Sequence, residues 1–297
     1  MRFGSSAIFL LLGVVALLSF TLGGIISHQR ATDQDARIDA LRAEVALMSR
    51  ETRGTTGTTG TVSVDGSPQS RALLDALKKE LKHEMGLMPI SLLRERGESF
   101  AELYAKDNFG HTNYGTAGYL GGGYFITVKH AVVALGVDES NPRRIERVDV
   151  RINGHDVPAT VVDAGDARNE VDPGDWAILK VRQAPKMPPL TVNLGFAFQF
   201  AAPIFRLGND YSKGIILASG YVGQKLSNRL VSALTDGHPG VSGGGVLNQE
   251  GDLVGIPVGR MQGDYRFSFI LPVRSEMFRK VPGLAANGVR ELRAVSQ

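Results

Sequence analysis

Apolar positions along the chain fall into three regimes. From Ala7 to Ile26 there is a run of about 20 residues without a charge, long enough to cross a hydrocarbon core of roughly 30 Å as a helix. With Arg2 and the amino terminus on its short flank, either a signal peptide or an uncleaved anchor starts in the cytoplasm and sends the bulk of the chain outward. Thr21-Leu22-Gly23 is a poor small-x-small cleavage site, which favours the anchor. Arg30 and Arg37 downstream compete with the sparse N-terminal charge. The expected location is a single-pass cell-membrane protein whose remaining chain lies on the periplasmic or extracellular side, with residues 1–30 as the anchor or signal segment.

The second regime has helical spacing. Ile38, Leu41, Val45 and Met48 repeat at intervals of 3, 4 and 3, the seam of a short coiled coil over 31–53 or one face of a solvated juxtamembrane helix. Residues 54–66 begin with G-T-T-G-T-T-G-T and form a flexible linker. Ser67-Pro68 offers a helix start, and Leu74, Leu77, Leu81 and Met85 form a stripe that ends at Gly86. A second helix is expected from Ile90 to Tyr104, within a helical segment spanning 67–110. Residues 31–104 are thus a candidate homo-oligomer contact.

From 111 onward the pattern turns to short apolar runs between turns. Gly115–Tyr119 and Tyr124–Val128 predict two antiparallel strands around the glycines 121–123, and Val148–Ile152 with Val157–Val162 predict a hairpin around Asn153-Gly154. A polar loop, Asp163–Gly174, leads to Asp175 and a strand after it. Further runs follow at Ile204–Leu207, Ile215–Val222, Leu230–Ala233, Gly245–Leu247, Leu253–Val258 and Phe267–Ile270. Short helices are expected at Arg274–Val281 and Val289–Val295. No long helical pattern interrupts the strands, so the class is mainly β, a barrel or sandwich.

Composition narrows the chemistry. A net charge of +3 on 297 residues, with no dense basic run in the folded half, does not imply nucleic acid. The absence of cysteine excludes disulfides, a thiol nucleophile and thiolate metal sites. His111, His155 and His238 lack metal-ligand spacing, and no metal or cofactor is implied. The D-G-H-P-G-V-S-G-G-G-V stretch from Asp236 to Val246 surrounds Ser242 with glycines that permit positive φ and close approach of a ligand. Such a turn is either an incidental hairpin or a nucleophile loop, in which the amides of Gly240 and Ser242 converge on a developing oxyanion. A nucleophile needs a base and an orienting group. His130 ends one apolar strand and Asp175 begins another, while Asp163, Asp166 and Asp172 precede no apolar strand and are expected to be solvated. His238 is a rival base by proximity alone.

The order His130, Asp175, Ser242 and the stretches around them resemble the trypsin-like (chymotrypsin-fold) serine peptidases, in particular the disulfide-free bacterial Deg-like group. Gly115-Thr116-Ala117-Gly118-Tyr119 resembles that family's first barrel strand, Phe125–His130 its histidine motif, and Asp175–Val181 its "D-L-A-L-L-K-V" motif. His238–Gly244 is similar to "N-P-G-x-S-G-G", Leu253–Ile256 to "x-V-G-I", and Phe269–Val273 to "F-A-I-P-V". The resemblance implies a two-barrel peptidase domain over 111–297 and a serine endopeptidase acting on polypeptides. His130 would be the base, Asp175 the orienting group, Ser242 the nucleophile, and the Gly240 and Ser242 amides the oxyanion hole.

It also implies that Ile256-Pro257-Val258 runs beside the bound peptide as an extra strand, although Pro257 lacks an N–H at that edge. Asp236 stands six residues before the serine, a spacing that in trypsin selects basic side chains, whereas the apolar pocket wall favours a small or medium apolar one. Three glycines after Ser242, where the family has two and a proline, predict a looser loop, and a latent oxyanion hole is compatible with the family. The stretch after Val273 leaves no room for a PDZ-like domain. The competing function is a catalytically silent, membrane-tethered module that binds a peptide or partner protein.

Overall fold

Alternating burial closes the β strands into two barrels. The computed structural model describes residues 68–136, 143–210, 213–284 and 289–290. The expected membrane segment at 7–26, the coiled coil at 31–53 and the linker at 54–66 lie outside the described residues. Among the described residues no helix is long and apolar enough to cross a membrane.

Barrel one consists of β1 (Phe100–Asp107), β2 (Thr112–Gly121), β3 (Tyr124–Thr127), β4 (Ile145–Ile152), β5 (His155–Ala164) and β6 (Ala177–Val181), closed in the order β1-β2-β3-β6-β5-β4. Every neighbouring pair is antiparallel. The turn from β2 to β3 places Gly121, Gly122 and Gly123 all at positive φ, which accounts for three glycines in a row. Asn153 and Gly154, also at positive φ, make the tight turn of the β4–β5 hairpin.

Barrel two follows β7 (Val192–Asn193) and contains β8 (Pro203–Asn209), β9 (Ile215–Lys225), β10 (Val231–Leu234), β11 (Gly245–Leu247), β12 (Leu253–Met261) and β13 (Asp264–Pro272). The order is β11-β8-β9-β10-β13-β12, and β11 also pairs with β12, which completes the ring. Strand β7 and β14 (Val289–Arg290) attach in parallel beside β12. One apolar cluster runs from Leu103, Phe125 and Ile178 of barrel one into Leu253, Ile256 and Leu271 of barrel two, so the barrels share a core.

Three expectations about this half of the chain are corrected. The helix expected from Ile90 to Tyr104 ends at Gly97, and Phe100–Asp107 is a barrel strand paired on both sides, by β2 and β4. The barrel therefore begins at 100 rather than 111, inside the expected helical segment, because Leu103, Ala105 and Asp107 alternate inward with a period of two. Val289–Arg290 is a strand rather than a helix start, since β7 offers it an unpaired edge. The stripe of α1 (Pro68–Glu84), whose packing the sequence leaves open, has Leu74, Leu81 and the following Met85 exposed. By contrast, α2 (Ile90–Gly97) docks on the domain through Leu92 and Leu93, and Arg96 Nε donates to the Gly251 carbonyl at 2.9 Å.

Candidate active site

His130 sits on α3 (Lys129–Val132), a single turn that follows directly on β3. Its backbone N–H donates to Asp175 Oδ1 at 2.9 Å, and its ring Nδ1 lies 2.6 Å from Asp175 Oδ2. Asp175 is fully buried, two residues before β6, where its own N–H donates to the Asp172 carbonyl. An ionised carboxylate accepts only, so Nδ1 carries the proton and Nε2 keeps its lone pair for an incoming hydroxyl. Burial of the imidazole opposes its protonation. The hydrogen bond and charge of Asp175, helped by the charge of Glu170, outweigh that and raise the His130 pKa above its ordinary value.

Ser242 is carried by the turn between β10 and β11 and is half-buried. The chain enters that turn from a fixed point, because Thr235 donates no freedom to it: Ser268 Oγ bonds the Thr235 carbonyl and the buried Arg206 guanidinium reaches both Thr235 Oγ1 and Asp210. Thr116, fully buried on β2, ties the turn to barrel one. Its N–H donates to the Ser242 carbonyl at 2.9 Å and its hydroxyl to the Gly240 carbonyl at 2.8 Å, while it accepts from Asn209 N–H. Within the turn, Gly243 N–H donates to the Pro257 carbonyl and Gly244 N–H to the Val241 carbonyl. The N–H groups of Gly240 and Ser242 have no acceptor among the described residues. Gly115 shows how near the two halves of the site come: a Cβ there would stand 3.3 Å from Ala131 Cβ and 3.4 Å from the Ser242 carbonyl oxygen. Ser242 Oγ makes no hydrogen bond to His130.

The structure thus joins His130 to Asp175 directly and packs the Ser242 turn against the strand that precedes them. A cleft of roughly 350 Å³ opens beside Ser242, between Gly237, His238 and Val241 on one side and Gly259 and Arg260 on the other. The expected substrate-binding residues lie elsewhere. Ile256 and Val258 point into the core. The Pro257 carbonyl is engaged by Gly243 inside the fold, so the backbone of Pro257 faces the serine turn and the missing N–H removes nothing from the cleft edge. Asp236 is exposed and does not line the cleft. Nor is the glycine run loose. Gly243, Gly244 and Gly245 are all buried, and a Cβ on Gly245 would collide with the Phe100 ring of β1. Among the remaining acids, Asp163 pairs with Lys280 and Asp172 caps the Gly174 N–H.

Residues 115–256 match the sequence profile of the trypsin-like peptidase domain. The chain carries a trypsin-like peptidase domain. It is a domain of the serine endopeptidase class of hydrolases, as the sequence motifs lead one to expect. No curated protein matches the chain by sequence. Solved structures of similar fold include the serine endoprotease from Yersinia pestis, at 20% identity and a TM-score of 0.51 over 61% of this chain and 61% of that one. The active form of the Rv3671c protease from M. tuberculosis is 19% identical, with a TM-score of 0.52 over 74% of this chain and 90% of that one. The HtrA-type protease AlgW with a tripeptide is 19% identical, with a TM-score of 0.50 over 61% of this chain and 58% of that one. At such identities the likeness is one of fold, and the chain spans about three fifths of the Yersinia protein. The trypsin-like domain extends beyond the matched residues on both sides, to β1 and β13, which close its two barrels.

Proposed function

We propose that the protein is a membrane-anchored serine endopeptidase that hydrolyses peptide bonds through His130, Asp175 and Ser242 by way of an acyl-enzyme. The observation that carries this reading is the buried Asp175 bonded twice to His130, next to a serine turn whose Gly240 and Ser242 N–H groups have no acceptor among the described residues. Ser242 Oγ attacks the scissile carbonyl and its proton passes to His130 Nε2. Asp175 fixes the tautomer and stabilises the imidazolium. The Gly240 and Ser242 amides receive the oxyanion. Collapse of the tetrahedral species transfers the proton from His130 to the leaving amine, and water then hydrolyses the ester with His130 again as base. The polypeptide substrate pairs as a strand with the edge of β12 at Gly259 and Arg260.

A catalytically silent peptide-binding module is the second reading, and one observation favours it: Ser242 Oγ is not hydrogen-bonded to His130. Such bonds are often long in substrate-free enzymes and tighten with substrate bound. Internally quenched peptides decide between the two. Cleavage of internal bonds that disappears in Ser242→Ala supports the endopeptidase, and binding without turnover by the folded wild type supports the module.

His130 must be neutral to act as base, so kcat/KM rises with pH along a limb set by its pKa. That limb is expected above pH ~6.5, the ordinary imidazole value, because the His130 pKa is raised. Glu170→Gln removes one of the charges that raise it and should move the limb to lower pH. A pH–rate profile with an unmoved limb contradicts that contribution.

The uncharged run at 7–26 supports an anchor that leaves the domain on the non-cytoplasmic side. Retention of the full chain in carbonate-washed membranes is the expected result, and release into the wash contradicts it. The exposed Leu74, Leu81 and Met85 support a homo-oligomer contact within the N-terminal part.

A further inference from the structure

Phe198 and Arg229 hold φ of +46° and +67°, a left-handed conformation uncommon outside glycine, and both line one cavity on barrel two. Such backbone persists where its surroundings over-determine it. At Arg229 the turn from β9 to β10 does so. Leu226 N–H donates to the Leu230 carbonyl at 2.8 Å, Arg229 N–H to the Leu226 carbonyl at 3.0 Å, and Leu230 N–H to Asn228 Oδ1 at 3.2 Å. Phe198 is buried, and its ring meets Phe196 edge to face with the centroids 4.8 Å apart.

The cavity, of roughly 340 Å³, lies where two apolar clusters fail to meet. Leu194, Leu226, Leu230 and Val273 on its wall belong to the core that the barrels share. Phe196, Phe198, Val231 and Val254 belong to a separate cluster of barrel two. The charge at the cavity is of one sign. Lys225 and Arg229 are exposed, neither side chain has a hydrogen bond or ion pair among the described residues, and no described acid lines the wall. An apolar interior with a few convergent polar groups is the usual make-up of a small-molecule site. At about 30 Å³ for each water-sized group, the space holds about 11 non-hydrogen atoms. It shares no lining residue with the cleft beside Ser242.

We propose that this cavity binds a small aromatic carboxylate. Its ring fills the gap between the two apolar clusters beside Phe196 and Phe198, where ring contacts add to the burial of apolar area. Its carboxylate meets Lys225 and Arg229 at the mouth, which supply charge-assisted hydrogen bonds.

The test is calorimetric titration and thermal unfolding of the full-length protein in nonionic detergent, with 3-phenylpropanoate as the probe. A Kd of about 1 mM or below is expected for a ligand of this size, and Tm should rise by about 3 °C or more at ten times that Kd. 3-Phenylpropan-1-ol has the body without the charge, propanoate the charge without the body, and 3-phenylpropylammonium the opposite sign. Each should bind at least about fivefold more weakly. In Lys225→Gln with Arg229→Gly, where glycine accepts the positive φ and keeps the turn, phenylpropanoate should lose about fivefold or more in affinity while the alcohol stays within about twofold. Arg182→Gln with Lys186→Gln removes the same charge from exposed positions outside the cavity and should leave both ligands unaffected. No binding of phenylpropanoate at about 10 mM, equal losses in the two double variants, or tighter binding of the ammonium overturns the proposal. So does binding that emerges only once residues 291–297 are removed, since the cavity then belongs to the chain's own tail.

Discussion

Asp175→Asn is expected to lower kcat by about 10⁴-fold with little change in KM or Tm. The carboxylate accepts from both the backbone N–H and Nδ1 of His130. A carboxamide of the same shape can accept one of those bonds but presents an NH₂ group to the other. With that donor facing Nδ1, the ring proton is driven to Nε2, where it blocks acceptance of the serine proton. The buried site keeps its volume, so the fold is retained and the loss is chemical. Steady-state kinetics beside thermal unfolding checks this, and a loss smaller than about tenfold contradicts the role given to Asp175.

Gly243→Ala should damage both stability and turnover. Gly243 has φ of +79°, and a Cβ there would stand 2.5 Å from the Thr116 carbonyl oxygen and 2.8 Å from Val128 N, with Thr127 Oγ1 nearer still. Two of these atoms are barrel-one backbone and cannot swing aside. The left-handed conformation alone costs an L-residue about 1–2 kcal/mol, and displacement of the turn adds to it. For a domain of this size a loss of 1 kcal/mol lowers Tm by roughly 2–4 °C, so a fall of about 5 °C or more is expected. Peptide turnover should fall with it, because the turn carries the Gly240 and Ser242 amides. Wild-type Tm and rate in this variant would contradict the packing of the turn against β2 and β3.

Legibility in the sequence followed the range of the forces involved. His130, Asp175 and Ser242 stand in motifs where local pattern and chemistry coincide, an apolar strand end or a glycine turn, and most β strands alternate visibly. Strand β1 was hidden because F-A-E-L-Y-A-K-D is rich in good helix formers. Only pairing with β2 and β4, both distant in sequence, makes it a strand. Thr116 sits in a recognised stretch, yet its role in holding the serine turn depends on residues more than 90 positions away. Pro257 and Gly245 looked like departures from the family pattern. The first turns its carbonyl to Gly243, and the second makes room for Phe100, neither of which a one-dimensional pattern contains. Arg229 gave no signal, since an arginine in a polar turn carries no mark of its backbone conformation or of the apolar cavity beside it.

Intact-mass and peptide-level mass spectrometry of the folded full-length protein after treatment with a fluorophosphonate tests the assignment of Ser242 as nucleophile most directly. A single adduct on Ser242 is predicted, absent from Ser242→Ala and formed far more slowly in Asp175→Asn. A folded protein that takes no adduct at Ser242, or takes the same adduct after Ser242→Ala, would contradict it.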